Sequence, residues 1–161
     1  MYLTLQMISV RSISLIGESK LKRRNKKGEN FRPFLFEKRI MNKAEAIQIA
    51  NESLRADVLN DRNTQFSQLV RYVSDEGWWL NIPLANFRKE NHFLLCSEKA
   101  KMIRHIMLKP NCILSPATKF RVKDGVADVF ISSANPRKLV DILDGGSKYS
   151  FNKHLVDEHR F

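Results

Sequence analysis

The residues of this chain that could do chemistry are few and scattered. Four histidines (His92, His105, His154, His159), two cysteines (Cys96, Cys112) and the aspartates Asp124 and Asp128 are the candidates. A metal centre needs three or four converging ligands. Only His92 and His105 can be brought together, across a hairpin, while His154 and His159 are five apart and do not share a helical face. Cys96 and His92 would lie on one strand face, but four residues of rise hold them ~13 Å apart, too far for a nucleophile–base pair. Asp124 and Asp128 suggest the acidic pair of a nuclease until each is explained locally: Asp124 by a turn with Gly125, Asp128 by a cross-strand Arg121. Gly145-Gly146 stands where glycine ends an element, and no phosphate-binding glycine loop is present. No catalytic residue, no metal ligand and no cofactor is therefore expected.

Binding chemistry is better represented. Adjacent residues of a strand point to opposite faces. Of Trp78 and Trp79, one can enter a core and the other needs a second layer, a partner or water. Arg71, Arg88, Lys89, Lys101, Arg104, Lys119, Arg121 and Lys123 would form a nucleic-acid platform if they converged on one sheet face with aromatics between them. Acidic residues are interspersed, which favours a mixed, solvated surface. Trp78, Trp79, Arg104 and Arg121 are the candidate binding surface. A separate candidate is the block Lys20, Lys22, Arg23, Arg24, Lys26 and Lys27, six basic residues among eight, which repels itself and suits a solvated nucleic-acid tail.

The elements that must position these residues are legible from cap, turn and period. Asn42 followed by Glu45 has capping-box spacing, and Ile47, Ala50, Leu54 and Val58 recur at helical intervals. Phe66 to Val73 is β-prone, Ser74 to Gly77 reads as a turn, and Trp78 to Leu84 as the returning strand. Pro83 lacks a ladder donor and belongs at a strand end or edge. His92–Cys96 and Lys101–Lys109 form a second pair, apolar on both faces and so covered on both. Asp124-Gly125 suits a two-residue type I′ turn. That register sets Arg121 opposite Asp128 and puts Phe120, Val122, Ala127, Val129 and Ile131 on one face. Asn135-Pro136 resembles a cap and first helical position, so a short helix near 136–144 is expected from the stripe Leu139, Ile142, Leu143; a β-run over 138–143 is the alternative. Phe151 to Val156 suits a last helical turn or two.

The formal charge of +11 looks like a nucleic-acid signal until it is divided. Residues 1–41 carry ten Lys/Arg against three Glu, and residues 42–161 eighteen basic groups against fourteen acidic. The body is only mildly basic. Residues 1–40 are read as a basic N-terminal extension outside the core, either a stretch the domain does not need or a functional tail, and 41–161 as a single α+β domain. No run approaches the ~18 apolar residues of a membrane span, and no secretory signal is expected. The two cysteines lack metal spacing and read as free thiols of a reducing cytoplasm.

The architecture expected is α+β: an N-terminal helix packed on a mainly antiparallel sheet of about five to six strands. The function expected is a non-enzymatic binding or protein-interaction module for a protein or small-molecule ligand, with no membrane contact and a homodimer as a candidate assembly. The alternative is a nucleic-acid-binding protein with a basic tail.

Overall fold

Asn42 starts the first helix as its spacing predicts. Its side chain accepts from the Glu45 amide at 3.0 Å, and the Glu45 carboxylate accepts from the Asn42 amide at 3.2 Å. This reciprocal cap is worth on the order of 1 kcal/mol. Helix α1 (Lys43–Leu54) buries Ala46 and Ala50, and ends where Arg55 turns left-handed at φ 53°. The computed structural model describes residues 40–135 and 137–161; the basic block Lys20–Lys27 and the proposed helix-start Pro136 lie outside them. After α1, the Asn51 side chain donates to Leu59 O and accepts from Leu59 N–H, both at 2.9 Å. An amide side chain thus stands in for a strand partner and seats Leu59 in the core.

Seven strands form one sheet in the order β5-β6-β2-β1-β3-β4-β7. They are β1 (Thr64–Tyr72), β2 (Asp75–Pro83), β3 (Asn91–Ser97), β4 (Met102–Leu108), β5 (Arg121–Lys123), β6 (Val126–Ser132) and β7 (Leu155–Arg160). Three hairpins, β1–β2, β3–β4 and β5–β6, are joined by non-local pairings. Strand β2 pairs antiparallel with β6, β4 with β7, and β1 runs parallel to β3. The arrangement is α+β, with seven strands where the sequence suggests five or six.

The sheet is sandwiched unequally. On one face Trp78, Leu80, Ile82, Phe93, Leu95, Ile106, Ala127, Val129 and Ile131 build the larger core. It is closed by Phe87, Phe120 and Phe151, whose rings stack at 5.6 and 5.8 Å. Each such fully buried side chain is worth ~1.5–3 kcal/mol. On the other face α1 covers only the half of the sheet formed by β1, β3, β4 and β7, where Met41, Ala46, Ala50 and Leu59 meet Leu94, Cys96 and Ile103, with Phe66 of β1 packed alongside.

The hairpin at Asp124-Gly125 has the expected geometry. Both residues have positive φ, 50° and 75°, and Arg121 faces Asp128. The first hairpin turns two residues earlier than its sequence suggests: Tyr72 pairs with Asp75, so Val73-Ser74 is the turn and Val73 sits at φ 55°. No helix forms over residues 137–144. Leu139, Asp141 and Leu143 are buried in alternation with half-buried Val140 and Ile142, a period of two. Isolated bridges join Asp141 to Ile131 and Val140 to Ser150. Helix α2 (Pro116–Lys119) is a single turn. The C-terminal helical turn is a short 3-10 segment, Asn152–His154, which leads directly into β7.

Candidate functional site

The sheet separates the four candidate surface residues into two pairs on opposite faces. Trp78 is 1% exposed; its indole N–H donates to Cys96 O at 2.8 Å, and the Arg104 guanidinium lies 5.5 Å above its ring. Arg104 is itself buried and held by Glu158 at 2.8 Å. This pair stands inside the larger core.

Trp79 and Arg121 lie on the face that α1 leaves open. The half-buried Trp79 ring packs against Tyr72 at 5.2 Å and Phe130 at 5.6 Å. The Arg121 guanidinium stands over it at 5.8 Å. Asp128 holds that guanidinium at 3.0 Å and also accepts from the Asn81 side chain at 2.8 Å. Val70, Tyr72 and Val73 leave large apolar surfaces exposed at the adjoining hairpin tip. Of the other body cations, Lys123 shares β5 and, by alternation, the face of Arg121. Arg88 lies in the 3-10 turn that follows β2, Lys89 just after it, Lys101 before β4 over Phe161, and Lys119 at the end of α2. Arg71 stands on β1 opposite Glu76. The described cations do not gather on one face.

Beside Trp79 the sheet opens. Strands β1 and β2 pair only between Leu69–Tyr72 and Asp75–Trp78. Farther along, Thr64–Gln68 pairs with β3 and Gly77–Pro83 with β6, so the two strands part like a fork. The gap is a cavity of about 380 Å³ lined from β1 by Gln65 and Phe66 and from β2 by Trp79 and Asn81. Lys43, Asp61 and Arg62 form its rim. Lys43 is tied to Asp61 at 3.1 Å, whereas Arg62 has no ion-pair partner among the described residues. The site therefore offers an aromatic face and one guanidinium with no ion-pair partner among the described residues.

The groups with catalytic potential are arranged otherwise. His92, His105 and His159 form a buried row across β3, β4 and β7, with His92 Nδ1 2.9 Å from His105 Nε2. Burial lowers the pKa of all three, that of His105 to about 4. Among the described residues no group of three His, Cys, Asp or Glu converges as a metal site. Burial, with Glu98 nearby, raises the Cys96 thiol to about 11, and its sulfur rests against Met41. It is therefore a neutral thiol at physiological pH and no nucleophile. Asp124 belongs to its turn, and Asp128 to Arg121 and Asn81. Sequence reasoning missed Asp141, which is wholly buried and raised by burial; one carboxylate oxygen accepts from Phe130 N–H at 3.0 Å and Leu143 N–H at 3.1 Å. It acts as a side-chain rung at the edge of β6.

The chain matches no protein-family model, no curated protein and no solved structure at a significant level.

Proposed function

We propose that this protein is a non-enzymatic binding module whose recognition site is the open sheet face around Trp79 and Arg121, together with the cleft between β1 and β2. The observation that carries the reading is the fork itself. A sheet that parts between two neighbouring strands gives up ladder hydrogen bonds, and a half-exposed tryptophan stands at the opening. Such concave sites with an aromatic wall and a few polar groups are where ligands concentrate. Exposed apolar residues at the adjoining hairpin tip enlarge the surface available to a partner. The cytoplasmic setting rests on the two free cysteines.

Selection of displayed ligands on the immobilised full-length protein tests this. Ligands enriched on the wild type should be lost on both Trp79→Ala and Arg121→Ala, with both variants melting as folded proteins. Enrichment indifferent to both substitutions would sink the reading.

A nucleic-acid reading is favoured by one feature, a guanidinium held beside the half-buried Trp79 on an open sheet face, a pairing that suits an unstacked base. It requires affinity for a single-stranded oligonucleotide that falls steeply with salt. A homodimer through this same face would appear as a concentration-dependent mass in sedimentation, abolished by Trp79→Ala.

A further inference from the structure

We infer that the occupant of this site is a short extended peptide segment of a partner protein, added as a strand into the β1–β2 fork. The inference rests on the binding reading above and names its ligand. Its basis is the direction in which main-chain groups point. In an antiparallel ladder, residues alternate between turning both N–H and C=O to one neighbour and turning both to the other. Leu84 N–H donates to Gly125 O across the β2–β6 pair, and Phe130 O accepts from Ile142 N–H on the side of β6 away from β2, each at 2.9 Å. This phase turns Leu80 and Ile82 toward β6 and Asn81 toward β1. Pro83 has the same phase as Asn81. That lets a proline end this central strand: β6 never needs the missing N–H.

The opposite wall follows from one bond. His92 N–H donates to Asn63 O at 2.8 Å, so Gln65 and Ser67 bond to β3 while Thr64 and Phe66 turn toward β2. Pairing with β2 has by then ended. Asn81 on one side and Phe66 on the other thus present donors and acceptors to the cleft instead of to each other, with Thr64 buried at its end.

A peptide is the ligand whose alternating N–H and C=O groups match both walls. A DNA backbone offers acceptors to the N–H groups but no donor repeat for the facing carbonyls, and the 2′-hydroxyls of RNA donate only once per nucleotide, not in alternation with an acceptor on each wall. Alternate side chains of the added strand would pack against Trp79 and Phe66, and an acidic residue at one end would meet Arg62.

Hydrogen exchange on the full chain is the first arm of the test. In the free protein the amides of Phe66 and Asn81 should exchange quickly, while those of Leu80 and Ile82 stay protected. Protection of the first two in the free protein would overturn the inference, because the chain would already fill the gap. The second arm selects from a random library of displayed seven-residue peptides and N-methylates the best binder at alternate amides. Methylation in either phase should weaken binding by about tenfold or more, since alternate amides donate to opposite walls, whereas methylation outside the bound segment should cost about twofold or less. Asn81→Pro should weaken the peptide with Leu80 and Ile82 still protected, and Asn81→Ala should retain it. Insensitivity to methylation in either phase overturns strand addition between the two walls, while dependence on Trp79 would leave the binding module standing. Salt-sensitive binding of a single-stranded oligonucleotide in place of any peptide does the same. Loss of all Trp79-dependent binding removes both.

Discussion

Acidifying the solution should unfold this protein through His105. The ring is 2% exposed, and its Nε2 shares a hydrogen bond with His92 Nδ1. Its Nδ1 is buried with no partner. The cheaper tautomer leaves that nitrogen bare, and protonating it would bury a charged N–H without an acceptor. Burial, with His92 and His159 nearby, lowers the group from 6.5 to about 4, against a smaller opposing pull from Asp157. The sign follows directly: between 6.5 and about 4 the unfolded chain takes up a proton that the folded chain refuses, so stability is complete above 6.5 and falls as pH drops. At about 1.4 kcal/mol per pH unit, the loss reaches about 3 kcal/mol by pH 4. His92 and His159, both lowered, act in the same direction. Asp141, raised by burial, acts the other way, because acid relieves the cost of its buried charge. Urea melts at pH 7, 6, 5 and 4.5 would read the effect as a falling midpoint at constant slope. His105→Leu should start about 1–2 kcal/mol less stable at pH 7, since it orphans His92 Nδ1, yet decline much less with acid. A wild type with a flat midpoint, or a His105→Leu variant with the wild-type pH dependence, would refute the reasoning.

Gly125 sits at φ 75° with open space around its Cβ position. Gly125→Val should therefore cost roughly 1–3 kcal/mol through backbone strain alone, measurable by denaturant melts. Arg121→Ala should cost much less, on the order of 0.2–1 kcal/mol, as expected of a cross-strand ion pair near the surface. Val73 is 82% exposed at φ 55°, so Val73→Gly should raise stability by about 0.5–1 kcal/mol, with a higher melting temperature as the readout. A chain beginning at Met41 should melt cooperatively within a few degrees of the full-length value, because Met41 N–H reaches Glu98 and its side chain lies in the helix-side core; a collapsed melt would assign residues 1–40 to the fold.

What the sequence determined by itself was local. The Asn42–Glu45 cap, the β3–β4 hairpin and the Asp124-Gly125 turn depend on residues within a few positions of one another, so their types and spacing suffice. The Arg121–Asp128 register followed from the turn length, and with it the division of β6 into a core face and an outer face. The first hairpin escaped by two residues because Val73 occupies a left-handed position that its β-branched side chain disfavours, so no residue advertised the turn. The stretch after Ser132 misled because Asp141 counts as polar. Read as outward-facing, it leaves a helical stripe; buried as a side-chain rung, it restores the period of a strand. Only the tertiary structure decided which strands meet at a distance: β1 beside β3, β2 beside β6, β4 beside β7. Those pairings rest on packing between residues tens of positions apart, and nothing local encodes them. They also decided the site. Trp78 and Trp79 are equivalent as a dipeptide, and the position of α1 on one part of one face makes the first a core residue and the second half-exposed. The fork exists because β1 leaves β2 for β3, a choice made by the whole sheet.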